Sequence, residues 1–152
     1  MSANIRNYTS AVPVSRTISM IEERLAEFGA TDILKTYNPE TKRLTALKFI
    51  LVMHGRKVPI LLPAKVDECA KEMLMAIRRP RSGTIEKVQD QAERTAWKLA
   101  FEWLDIQLVM VQLKQKDLLE VFLADVWNPA TEQTHYEQLR TTQFKALLPP
   151  AP

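Results

Sequence analysis

Apolar positions along this 152-residue chain change period several times, and each change predicts a different element. In "SRTISMIEERLAEFG", Ile18, Ile21, Leu25 and Phe28 recur at the spacing of one helix face, with Ser15 as a candidate N-cap and Gly29 as a C′ stop. From "TDILKTY" through "RLTALKFILVM" the period falls to two. Leu47, Phe49, Leu51 and Met53 then share one face of a strand, and "NPETK" between the two runs reads as a turn. "HGRK" makes the next turn, and "VPILLP" is a short third strand whose Pro59 lacks a ladder donor and so belongs on an edge. A three-stranded antiparallel meander is expected.

Helical spacing returns in "AKVDECAKEMLMAIRR" through Val66, Cys69 or Ala70, Met73 and Ile77, with Pro63 near its start and Pro80 just past its end. This helix is expected to pack on the sheet. After "RRPRSGT", Thr84 is a candidate cap for one long helix, about 85–114, whose stripe of Ile85, Val88, Ala92, Ala96, Leu99, Trp103 and Ile106 keeps a near-heptad repeat. Phe101, Leu104, Leu108 and Val111 add further apolar faces, which implies burial against more than one neighbour. "DLLEVFLADVW" predicts a short helix begun by Asp117 that brings Leu119, Phe122, Leu123 and Trp127 over that girdle, and "NPATEQTHYEQLR" a turn and a last helix. The expected fold class is α+β: helix, three-stranded antiparallel meander, then helices with a C-terminal helical cap, as one domain over 1–145. The prolines of "LLPPAP" favour an extended, mobile tail over 146–152.

Composition removes several classes. No apolar run approaches the roughly 18 residues of a membrane-spanning helix, and no apolar h-region follows the charge in the N-terminal segment, so neither a membrane span nor a secretory signal is expected. Cys69 is the single cysteine, which excludes an intrachain disulfide or a cysteine zinc site and makes a reducing, cytoplasmic location the default. The glycines Gly29, Gly55 and Gly83 are too few and too scattered for a phosphate-cradling loop. His54 and His135 have no ligand-type residues at metal spacing, and nothing local brings His54 to Cys69. Catalytic residues, metal ligands and cofactors are therefore not expected, and an enzyme is the minority reading.

Charge placement supplies the positive evidence. Residues 35–98 hold fourteen basic side chains against seven acidic ones, +7, whereas 99–152 hold four against seven, −3. Such asymmetry attracts a polyanion. The basic residues gather at turns, and the second helix is expected to return its far end to the start of the second strand, joining Lys42 and Arg43 to Arg78, Arg79 and Arg81 as one nucleic-acid-binding patch. Of the tryptophans, Trp97, between Arg94 and Lys98 and one step off the stripe, is the candidate for a partly exposed ring on which a base could stack, with burial in the core as its alternative.

The order helix, three antiparallel strands, helix over residues 15–79 resembles the double-stranded RNA-binding domain in topology, and no residue role is carried over with it. The pattern "ERTAWKLAFEWLDIQLVMVQ…LLEVFLADVW…HYEQL" is similar to small uncharacterised proteins of phages and integrated mobile elements, which implies a genomic setting. Together these readings lead to a non-enzymatic nucleic-acid-binding accessory protein for replication, recombination or repair of DNA. The alternative is a protein–protein interaction or assembly subunit, possible as a homo-oligomer, that uses the long apolar helix.

Overall fold

The computed structural model describes residues 6–79 and 81–150; Pro80, expected at the end of the second helix, and the final two residues of the expected tail lie outside the described residues. The chain is α+β, in the order α1 (Val14–Glu27), β1 (Asp32–Tyr37), β2 (Leu44–Met53), β3 (Arg56–Leu61), α2 (Val66–Met75), α3 (Thr84–Gln112), α4 (Leu118–Phe122), β4 (Trp127–Asn128), β5 (Gln133–Thr134) and α5 (His135–Thr141). No helix among the described residues is long and apolar enough to cross a membrane.

Helix α1 starts ahead of the expected cap. Pro13 is the N-cap residue and its carbonyl accepts the amides of Arg16 and Thr17 at 3.1 and 3.2 Å, which leaves Ser15 inside the first turn. Gly29 does end the helix: at φ 89 it takes the left-handed C′ position, while its own amide donates to Ala26 and that of Ala30 to Leu25, both at 3.0 Å. Those two bonds satisfy carbonyls that the last turn would otherwise leave open.

The three strands form an antiparallel meander with β2 in the centre and Pro59 on the edge strand β3. Leu47, Phe49, Leu51 and Met53 are all buried on one face of β2. Two local devices set its register. Asn38 accepts the amides of Glu40 and Thr41 on its side chain at 2.8 and 3.1 Å, and Lys42 adopts φ 60 to close that turn. At the other end His54 and Gly55, at φ 50 and 73, are both left-handed, as a two-residue turn matched to the twist of a hairpin requires.

The main core lies between this face and two helices, α1 through Ile18, Ile21 and Leu25 and α3 through Trp97, Ala100, Leu104 and Leu108. Full burial of each such side chain contributes about 1.5–3 kcal/mol relative to exposure. Asp117 begins α4 with a reciprocal capping box to Glu120, and Phe122 then closes the core edge-on to Phe49 and Trp103, with ring centroids 5.6 and 5.9 Å apart. Leu123, expected in this cap, is 48% exposed. Trp127 stands half-buried with the Lys48 ammonium 4.0 Å over its ring, and the hairpin β4–β5 that follows it was not expected.

Helix α2 does not lie on the sheet as expected. It packs against the first half of α3, where Ala70 and Met73 meet Val88 and Ala92 in a second, smaller cluster closed by Tyr8. Helix α3 therefore serves two cores in succession. Its buried positions Val88, Ala92, Ala96, Ala100, Leu104 and Leu108 advance in steps of four. Each such step turns about 40° around a helix of 3.6 residues per turn, so the buried face migrates about 200° from the α2 side to the side of α1 and the sheet. A heptad stripe keeps to one side and misses this rotation, which is why Ile85 and Ile106, placed on the stripe, are 68% and 57% exposed.

Candidate nucleic-acid interface

The loop between α2 and α3 is built by turn chemistry. Helix α2 ends at Met75, so Arg78 and Arg79 stand beyond it in the loop. Thr84 donates its amide to the carbonyl of Arg81 at 3.0 Å and accepts the amide of Arg81 on its hydroxyl at 2.9 Å. Gly83, at φ 80 and ψ −5, occupies the third position of this turn, where a type II turn needs a left-handed residue. The expected role of Thr84 changes accordingly. It is the first helical residue, Gly83 is the N-cap position, and the hydroxyl pins the arginine loop, leaving the start of α3 without a side-chain cap.

Arg78, Arg79 and Arg81 are exposed, and none has a carboxylate within ion-pair distance among the described residues. Each guanidinium offers five N–H donors in a planar fork suited to phosphate oxygens. Lys87, one turn into α3, is also exposed and without an ion-pair partner among the described residues. Sequence reading counted it within the basic half without placing it here. Its position on the polar side of Val88, next to a loop of arginines, was the available signal.

The other expected members of the patch are elsewhere or occupied. Arg43 reaches across to α3, where Nη2 donates to Asp90 Oδ1 at 2.5 Å and Nη1 to a carboxylate oxygen of Glu93. The Asp90 hydrogen bond, opposed by partial burial and reinforced by Glu93, holds its pKa above the ordinary arginine value. Two carboxylates thus neutralise Arg43. Lys42 is exposed on the β1–β2 turn, but that turn shares a hollow of about 730 Å³ with Lys65, Asp67 and Glu68 at the opposite end of α2 from the arginine loop. The geometry inferred from sequence had the helix reversed relative to the sheet: β3 runs antiparallel to β2 and pairs Leu61 with Lys48, so the chain enters α2 beside Arg43 and the helix carries the arginine loop away from it. Trp97 is fully buried with its indole N–H unpartnered, so no base can stack on its ring.

Further basic residues of the positive segment hold the fold together. Lys35 pairs with Glu22 at 2.8 Å, and Arg94 donates to the carbonyl of Ser10 and the side chain of Gln91, whereas Lys71 meets only Glu68 of its own helix, at 3.4 Å and exposed. Among the described residues the exposed cations of the positive half without an ion-pair partner are Arg78, Arg79, Arg81 and Lys87 around the α2–α3 loop, and Lys42, Arg56, Lys57 and Lys65 at the turns of the sheet and the start of α2. Among the described residues no cluster of three or more histidine, cysteine or carboxylate side chains could hold a metal ion. Burial pushes the Cys69 thiol above its ordinary pKa, which suppresses the thiolate a nucleophile needs.

Compared with protein-family profiles, curated proteins and solved structures, the chain finds no match. Its geometry alone therefore carries the functional argument.

Proposed function

We propose that this chain is a non-enzymatic nucleic-acid-binding accessory protein acting in the cytoplasm on DNA during replication, recombination or repair, in the setting of a phage or mobile element. Contact is mainly with phosphate. The observation that supports this reading is the loop at the α2–α3 joint, where three exposed arginines stand without carboxylate partners among the described residues. The hinge could be built from Gly83 and Thr84 alone; the arginines add nothing to its hydrogen bonds beyond the Arg81 backbone.

Binding through phosphate contacts releases counterions, so affinity falls with salt at a slope of about −0.9 per duplex phosphate neutralised. Fluorescence anisotropy with labelled oligonucleotides across a salt series measures that slope. Replacing Arg78, Arg79 and Arg81 with alanine is expected to weaken binding on every sequence alike and to flatten the slope by about 2 to 3. An unchanged slope, or no salt-dependent binding by the native chain, rejects the reading.

A second reading, assembly through a protein partner or a second copy, is favoured by Ile106 and Val109 on α3 and its C-cap residue Leu113, which stand 57%, 36% and 63% exposed at helical spacing. Light scattering on the native chain and on Ile106→Glu/Leu113→Glu tests it. A concentration-dependent oligomer dissolved by the double change supports the reading, and a strict monomer removes the homo-oligomer.

A further inference from the structure

The arginine loop is flanked by two apolar side chains that the fold leaves in water. Met75, the last residue of α2, is 80% exposed, and Ile85, the second residue of α3, is 68% exposed, more than any of the other large hydrophobic residues exposed in the structure. Neither is needed by the cluster between these helices, which is filled by Ala70, Met73, Val88 and Ala92. A grip on phosphate alone has no use for them. Their position on either side of exposed, partnerless arginines joins apolar wedges to cations at one end of a helical pair.

We propose that Met75 and Ile85 are wedge residues, which enter the base stack of duplex DNA while Arg78, Arg79 and Arg81 hold the adjacent phosphates, and that the protein thereby bends the duplex. The proposal rests on the phosphate-binding reading and specifies its substrate as a deformable double strand. Methionine and isoleucine are among the side chains that suit this task, since a slender apolar group can slip between neighbouring bases and replace lost stacking with its own contacts. Burying them there removes apolar surface from water, which offsets part of the cost of unstacking. Flexible pyrimidine–purine steps, which unstack at least cost, are the favoured sites. A lipid surface fits the same residues less well. The helix ends carry two apolar side chains rather than a broad apolar face.

The experiment uses the full chain with a short duplex carrying a central TA step and a fluorescence-transfer pair at its ends, with anisotropy in parallel to measure binding. The native protein is expected to bring the ends together, by a bend of about 20° or more. Met75→Ala/Ile85→Ala is expected to lose the bend while the salt slope, set by the arginines, stays unchanged. Met75→Leu/Ile85→Leu restores the bend, and circular dichroism of each variant excludes unfolding as the cause. Native binding without bending, or bending that survives the alanine pair, overturns the wedge but leaves the phosphate reading standing. Absence of duplex binding at low salt overturns both. Loss of duplex binding to competition by phosphatidylserine-containing vesicles that need Met75 and Ile85 overturns the wedge and assigns the apolar pair to lipid.

Discussion

Arg43 is the residue at which formal charge and available charge diverge most clearly. In the sequence it is one of the cations of a basic turn; in the fold its two terminal nitrogens are committed to Asp90 and Glu93, 47 and 50 residues away. Its side chain is 28% exposed and that of Glu93 13%, so the pair lies in a partly desolvated site where an unpaired carboxylate is costly. Arg43→Ala is expected to lower stability by about 2 kcal/mol, the cost for a fully buried pair discounted for the water that reaches Asp90. Arg43→Lys keeps the charge but gives up the planar fork, and is expected to cost about 1 kcal/mol. Urea unfolding measures both, and a lysine variant as stable as the native chain shows that the two-pronged geometry contributes nothing. Because Arg43 is already neutralised, the lysine variant is also expected to leave the salt slope of nucleic-acid binding unchanged. Trp97 makes the same lesson for packing: its neighbours Arg94 and Lys98 suggest a surface ring, yet a helix serving two cores turns it wholly inward.

At the scale of elements, those whose period and caps are local could be read from sequence. Helix α1 with Gly29, the alternating face of β2, the edge position of Pro59 and the start of α4 at Asp117 are examples. Elements defined by distant partners could not. Nothing in Arg6–Pro13 announces that it straps α3, yet Thr95 donates to the carbonyl of Asn7, Gln91 and Arg94 donate to that of Ser10, and Glu102 accepts from Arg6 and Asn7 at 2.7 and 3.0 Å. These bonds hold Tyr8 against the smaller core. Burial of Glu102 alone would raise its pKa; the hydrogen bonds from Arg6 and Asn7, with the charges of Arg6 and Lys98, outweigh this and hold it below its ordinary 4.5. A carboxyl depressed in the folded state contributes stability that is fully present above its unfolded pKa and is lost as pH falls through the folded value. The strap is therefore expected to loosen only below about pH 4.5. Glu102→Gln is expected to cost less than about 1 kcal/mol at pH 7, Arg6 being 74% exposed, and the difference from the native chain closes as the pH falls through the folded-state pKa of Glu102. Hydrogen exchange of residues 7–12 at pH 7 and pH 4 follows the release, and exchange in the glutamine variant no faster than in the native chain at pH 7 removes Glu102 from that role.

Across the whole molecule, the two cores are unequal. The larger one gathers buried residues from α1, the sheet, the second half of α3 and Phe122, whereas the smaller one rests on Ala70, Met73, Val88 and Ala92 under the strap. Three of those four side chains are short of a full leucine's surface, and fewer buried apolar contacts mean a lower free energy of local opening. The fold was legible as far as α+β because the strongest periodicities belong to the larger core. The candidate site was only partly legible, since the loop 78–83 is local but its relation to Lys42, Arg43 and Trp97 depends on where α2 packs. That division has a dynamic consequence, because the arginine loop joins the two helices of the weaker core. Native-state hydrogen exchange is expected to show β2 and residues 97–108 of α3 exchanging only through global unfolding. Residues 66–75 and 85–92 are expected to exchange through a separate opening about 2 kcal/mol or more below it. If the loop grips a duplex, saturating DNA raises the protection of 66–75 and 85–92 and of the globally exchanging core by the same free energy, because binding stabilises the native state against every opening that releases the ligand. Uniform exchange across both helices and the sheet contradicts the division, and protection confined to the larger core places the ligand away from the arginine loop.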